Sequence, residues 1–292
     1  MIELRNEWLT VTVATRGAEL QSIRYQGREY LWQGDPAVWK RRAPILFPFV
    51  GRLKDDQYRF AGHSYQQSQH GFARDQDFHL VQATADRVTL ELTDSPASRE
   101  HYPFAFRLRV TYRLVGRRVA VEMAVTNPAA DQTLLYALGA HPGFRVPLTA
   151  AGRFESTQLS LAPAKRYGRI KLVGPAPDLD HQEELDCRQP LALNHQLFDH
   201  DALVLATAGQ ATTVTLTEPE SGHGVQVIEP APAAPYLAVW SPAPHYGDLM
   251  CLESWWGLAD PLTASGDLTT KAALNRLAPG LTAKHDYQIA VF

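Results

Sequence analysis

The chain has 292 residues, 45% hydrophobic and 20% charged, the proportions of an ordinary globular protein long enough to bury a large core without disulfides or metals. Lys+Arg number 28 against 31 Asp+Glu, a formal net charge of -3, which excludes a general attraction to nucleic acid or anionic lipid. No stretch approaches the roughly 18 consecutive apolar residues of a membrane helix, and the opening MIELRNEWLTVTV lacks the basic region and apolar run of a signal peptide.

The first element is a strand. Within residues 8–14, Leu9, Val11 and Val13 fall on one face and Thr10 and Thr12 on the other, the two-residue alternation of a half-buried strand. Gln26-Gly27 and Ala61-Gly62 place glycines where hairpin turns need positive φ. Between them runs PILFPFVGRLK, residues 44–54, an apolar segment interrupted by Pro44 and Pro48 and ending in Gly51-Arg52. Proline removes a ladder donor, so this segment is an edge or a bend. It delivers Arg52 on a rigid support, where a guanidinium can hold sugar hydroxyls or a carboxylate.

Residues 69–75, QHGFARD, set His70 before Gly-Phe and beside the pair Arg74-Asp75. Residues 95–101 read as a short helix, with Ser95 as N-cap, Pro96 at the first helical position and Pro103 just past the end. Residues 104–114 and 117–126 alternate on both sides of Val115-Gly116 and form the clearest hairpin. Residues 133–138 continue the pattern and run straight into GAHPGFR, with His141 at the tip of a Pro-Gly turn. An imidazole on a strand end is well placed for proton transfer, its ordinary pKa being near neutrality. Residues 161–199 are polar and rich in Pro, Asp, Gln and His, and read as a long irregular connection across one rim of a sheet.

Alternation resumes at residues 212–216, 225–228 and 236–240, with a turn at Ser221-Gly222. Residues 249–260, LMCLESWWGLAD, then carry a carboxylate on an apolar strand. If Leu252 faces the core, Glu253 faces the other way, and burial beside indoles lifts its pKa towards that of a general base. At least one of Trp255 and Trp256 is expected to pack in the core. Residues 267–277 have weak helical character, and residues 287–292 close the chain as a strand. Cys187 and Cys251 are far apart and fit no metal-ligand spacing, as expected of reduced thiols in a cytoplasmic protein. Many short strands punctuated by Gly and Pro predict an all-β antiparallel sandwich or barrel with few short helices, in one domain over residues 1–292.

The segments APILFPFVGRLKDDQY, QHGFARDQDF, ALGAHPGF, FDHDALVL and CLESWWGLAD, ordered from Ala43 to Asp260, together with Gly17-Ala18-Glu19-Leu20 and Leu31-Trp32, resemble the aldose 1-epimerase (galactose mutarotase) family, and within it the LacX-type branch. The resemblance implies a large antiparallel β-sandwich of the galactose mutarotase-like kind, a sugar as substrate, and neither metal nor organic cofactor. It implies that His141 is the general acid and Glu253 the general base. It implies that Arg52, His70 and a late aspartate hold the sugar; Asp201 is the choice, with Asp199 close by. Arg74 and Trp255 join them as substrate-binding candidates. Relatives often have Glu-Pro where this chain has Glu253-Ser254, a departure expected to alter the backbone more than the base.

Other readings compete. Arg52, Lys54, Arg74 and Arg145 could meet the phosphate of a hexose 6-phosphate, although no Gly-rich phosphate loop accompanies them. A non-catalytic carbohydrate-binding protein on the same scaffold is the rival of another class. Glycoside hydrolysis would need Asp201 or Asp260 to partner Glu253 across a scissile bond. Either a monomer or a homodimer fits.

Overall fold

The computed structural model describes residues 1–243 and 247–292. Two antiparallel sheets carry most of the strands. Inside the larger, nine-stranded sheet is the expected hairpin, Arg107–Val115 paired with Arg118–Thr126 across a turn where Gly116 takes φ 57. Its alternation is clean: Leu108, Val110, Tyr112 and Leu114 are buried on one strand, and Val119, Val121, Met123 and Val125 on the next. The C-terminal strand Thr282–Val291 lies between Arg118–Thr126 and His223–Glu229, so the end of the chain is bound into the middle of the sheet. The N-terminal residues form a four-stranded meander over Ile2–Arg5, Leu9–Val13, Leu20–Tyr25 and Arg28–Glu29.

The second, eight-stranded sheet runs in the order Ala176–Asp186, Arg166–Val173, Leu203–Ala206, Tyr236–Trp240, Leu249–Trp256, Leu138–Ala140 and Ile45–Leu46, with Gly143–Arg145 also on Leu249–Trp256. One apolar cluster unites inward residues of both sheets, among them Leu108, Val110 and Val121 from the first and Leu205, Leu237 and Leu252 from the second. The fold is therefore a sandwich, with side chains alternating between core and outer face. A smaller cluster that includes Val204, Ala238, Trp255 and Leu258 lies on the other face of the second sheet. The proline-bearing segment supplies a two-residue edge strand, Ile45–Leu46, as prolines on both sides of it require.

The helix Pro96–His101 has its expected cap: Ser95 Oγ accepts from Ser98 N at 3.1 Å, and Ser98 Oγ accepts from Ser95 N at 2.9 Å. Two expectations fail. Residues 161–199 are mostly strand, dominated by the hairpin Arg166–Val173 and Ala176–Asp186 at the sheet edge. This hairpin buries Tyr167 and Ile170, but a bulge falls between Ile170 and Leu172 and ion pairs such as Lys171–Glu183 at 2.6 Å lace it, so it lacks the two-residue alternation that marks a half-buried strand. Residues 267–277 are not helical. Asp267 caps a single turn, Leu268–Thr270, and the chain then extends as Asn275–Leu277 against Leu134–Tyr136. There the Asn275 amide donates to the carbonyls of Tyr136 and Trp256, tertiary bonds that override weak propensity. Among the described residues, no helix is long and apolar enough to cross a membrane.

Candidate active site

Strand register brings the imidazole and the carboxylate together. Ala140 pairs with Ser254 and Gly143 with Cys251, so His141-Pro142 interrupt the edge opposite Leu252 and Glu253. The His141 amide donates to Pro44 O at 3.1 Å, and the Leu252 amide to Pro142 O at 3.2 Å, which pins both sides of the break. Leu252 points into the inter-sheet core; its neighbour Glu253 therefore faces out of the sandwich, as alternation requires. His141 Nε2 lies 3.3 Å from Glu253 Oε2, and both side chains are buried.

Trp39 stacks on the His141 ring, with centroids 5.0 Å apart and planes at 24°. Trp240 and His70 meet that ring edge-on, at 5.8 and 5.6 Å. The imidazole thus has little rotational freedom. Glu253 is held by Trp255, whose indole N–H donates to Oε2 at 2.9 Å. Burial pushes the Glu253 carboxyl well above its ordinary range, the Trp255 bond opposes this, and the charge of Asp201 adds to it. Burial also pushes His141 well below ordinary imidazole, with Arg74 and Arg41 adding to the effect. Both displacements have the same cause: each charged form is costly where water is excluded.

The pair lines a cleft of about 730 Å³, together with Arg52, His70, Arg74, Asp201, Asp199 and Trp255. His70 Nδ1 accepts from the Gly51 amide at 3.0 Å, and burial holds the ring neutral. Its proton is therefore on Nε2, where it can be donated. Arg52 is half-exposed, with Asp56 3.9 Å away. Arg74 is mostly buried and donates to Gln69 O at 2.6 Å. Asp201 sits at φ 73 and accepts from Ala202 N at 2.8 Å; burial raises its carboxyl, while the Ala202 bond and Arg52 pull it back down. Asp199 lines the cleft too, so both aspartates remain at hand. Trp255 has a part the sequence did not suggest, as hydrogen-bond donor to the base candidate. Trp256 turns to the core and meets His285 with ring centroids 4.9 Å apart.

Some candidates are elsewhere. Lys54 and Arg145 do not line the cleft, which removes two of the four basic groups invoked for a phosphate. Asp260 is also outside it, in a buried ion pair with Lys271 at 2.5 Å, and cannot serve as a second carboxylate for glycoside cleavage. Trp39, Trp240, Gln69 and His200 line the cleft but escaped sequence reasoning. Trp240 ends a recognisable strand, and its position beside a conspicuous histidine was a spatial fact. An imidazole nitrogen of His141, the Cys251 sulfur and a Glu253 oxygen lie within 4.8 Å of one another. The thiol is fully buried, and burial raises its pKa well above the ordinary value. Ser254 lies in an unbroken strand paired on both sides, where a proline would remove an N–H.

Residues 1–289 match the family model described as aldose 1-epimerase. The chain belongs to the aldose 1-epimerase family. Relatives of this epimerase-family chain include the chromosomal protein LacX of Lactococcus lactis subsp. lactis, 33% identical over 99% of both chains. A galactose mutarotase related enzyme from Lactobacillus acidophilus superposes with a TM-score of 0.97 at 33% identity, covering 100% of this chain and 97% of the other. A galactose mutarotase-like protein from Lactobacillus casei gives 0.91 at 32% identity, covering 100% of both. The sandwich is the galactose mutarotase-like fold, and the family acts on sugars.

Proposed function

We propose that this aldose 1-epimerase family member interconverts the α and β anomers of a free hexose in the cytoplasm, without a cofactor. The observation that carries the reading is the buried His141–Glu253 pair, 3.3 Å apart within a cleft of about 730 Å³ that also presents Arg52, His70 and Asp201. Glu253 takes the proton of the anomeric hydroxyl as C1–O1 becomes a carbonyl. The bond from C1 to the ring oxygen breaks, and His141 delivers a proton to that oxygen. Rotation about C1–C2 turns the other carbonyl face inward. Reclosure with the roles exchanged returns both protons and gives the other anomer.

The pair needs one proton in total, moved across the sugar and back. In water, that proton would favour the imidazole by about two pKa units. Burial lowers the imidazole, to about 3, and raises the carboxyl, which in the empty cleft carries the proton past parity to Glu253, so sugar binding must return it to His141 before the ring opens. Trp39 and Trp240 fix the acid, and Trp255 fixes the base. Arg52, Asp201 and the Nε2–H of His70 supply directional bonds to ring hydroxyls, which set the orientation.

Exchange NMR of galactose anomers tests this with wild type, His141→Asn and Glu253→Gln. Each substitution is expected to lower the enzyme-dependent rate by roughly 10²–10⁴-fold; full activity in both variants rejects the assignment. The same assay on galactose 6-phosphate decides whether Arg74, whose Nε has no hydrogen-bond partner among the described residues, meets a phosphate.

A further inference from the structure

We propose that the buried ion pair of Asp260 and Lys271 is the positioning element of the sugar site, holding Arg52 and His70 at their stations; this rests on the sugar-binding reading above. Neither residue lines the cleft. Their side chains are 5% and 4% exposed, and Lys271 Nζ is 2.5 Å from Asp260 Oδ1. The same ammonium donates to Leu258 O at 2.9 Å. The other carboxylate oxygen, Oδ2, accepts from the Lys54 amide at 3.0 Å. The Asp260 amide in turn donates to Arg52 O at 2.8 Å. Asp260 therefore grips the backbone on both sides of Leu53, and Lys271 grips Asp260.

The grip continues into the cleft. Lys271 fixes Leu258, the residue before Ala259, and Ala259 packs on Gly51 so tightly that a Cβ at Gly51 would stand 2.5 Å from the Ala259 Cβ. Gly51, at φ 70, holds His70 at two points: its amide donates to His70 Nδ1 at 3.0 Å, and its carbonyl accepts from the His70 amide at 2.8 Å. The first of these bonds sets the His70 tautomer. One charged pair thus reaches Arg52 directly and His70 through Gly51.

Stability alone is a poor reason for such a pair. A buried ion pair only about breaks even against apolar residues of similar volume, whereas losing one partner leaves a stranded charge. The contacts made by this pair go instead to the backbone that presents the sugar-binding side chains.

The test uses the full-length protein, galactose, and the variants Asp260→Asn, Lys271→Met and the double substitution. KM for galactose is expected to rise about tenfold or more, with kcat within about threefold of wild type. Exchange of the Gly51 amide accelerates, and the His70 ring nitrogen shifts move. The double variant removes the stranded charge, so its Tm recovers while KM and Gly51 exchange do not; it also serves if a single variant fails to fold. Wild-type KM, Gly51 exchange and His70 shifts in a variant whose Tm alone has moved would overturn the proposal. Should wild type not exchange galactose anomers, the functional reading fails, while the Gly51 and His70 signals still decide the positioning.

Discussion

At the scale of single residues, activity turns on where one proton resides. The active pair carries one, so activity falls when a second is added or the last is removed. Burial lowers His141 and raises Glu253, so the second proton binds only well below the ordinary imidazole value and the last leaves only above the ordinary carboxyl value. The acid limb of kcat/KM is therefore expected well below pH 6.5, the unperturbed imidazole pKa; an acid limb centred there would contradict the burial argument. Trp255→Phe provides a finer check. The indole N–H stabilises the ionised carboxylate, so its loss raises the Glu253 pKa. The rate should fall and the alkaline limb move to higher pH; an alkaline limb that stays in place would show that this bond does not tune the base.

At the scale of elements, tight turns carry much of the positioning. Gly71 takes φ 71, and a Cβ there would lie 2.2 Å from Phe47 O, whereas Gly116 at φ 57 has nothing within 4 Å of a Cβ. Gly116→Ala pays only the left-handed backbone penalty, about 1–2 kcal/mol. Gly71→Ala must also displace the Phe47 carbonyl, which itself accepts from the Phe72 and Ala73 amides, so its loss should exceed 3 kcal/mol or so. Denaturant melts of both variants give the comparison, and equal losses would refute it.

The same elements show what was legible in the sequence. The hairpin of residues 107–126 could be read because its two strands alternate without interruption and Val115-Gly116 marks the turn. The His141 corner and the outward face of Glu253 followed from Pro-Gly chemistry and two-residue alternation. The edge hairpin of residues 166–186 could not be read, because its buried Tyr167 and Ile170 are three positions apart and a bulge follows, so no two-residue apolar stripe forms. Nor could Trp39, brought onto His141 by tertiary packing from a loop, or the Asp260–Lys271 clamp, whose members are eleven positions apart and joined only in the fold. Periodicity reports which face is buried; it does not report which side chains from distant segments meet there.

At the scale of the whole molecule, the sandwich encloses ionisable groups that tie its stability to pH. Glu229, at the end of His223–Glu229, is 1% exposed and accepts from the Ala234 amide at 2.9 Å. Burial raises its pKa to about 7. The folded state therefore holds this proton more tightly than the unfolded chain, whose carboxyl titrates near 4.3. That contribution is fully present below the unfolded pKa and is lost as pH rises through the folded one, by about 4 kcal/mol in total. Glu229→Gln is expected to flatten the decline of stability between about pH 4.5 and 7. Urea melts across that range measure it, and an unchanged slope would mean that the carboxylate is compensated in the fold.

The central claim is that the C1 end of one sugar ring faces both His141 and Glu253. A crystal structure of Glu253→Gln with galactose tests it most directly. The account predicts the anomeric oxygen within about 2.6–3.2 Å of the residue 253 side chain and the ring oxygen within the same distance of His141 Nε2. A galactose seated in the cleft with C1 turned away from both side chains would contradict it.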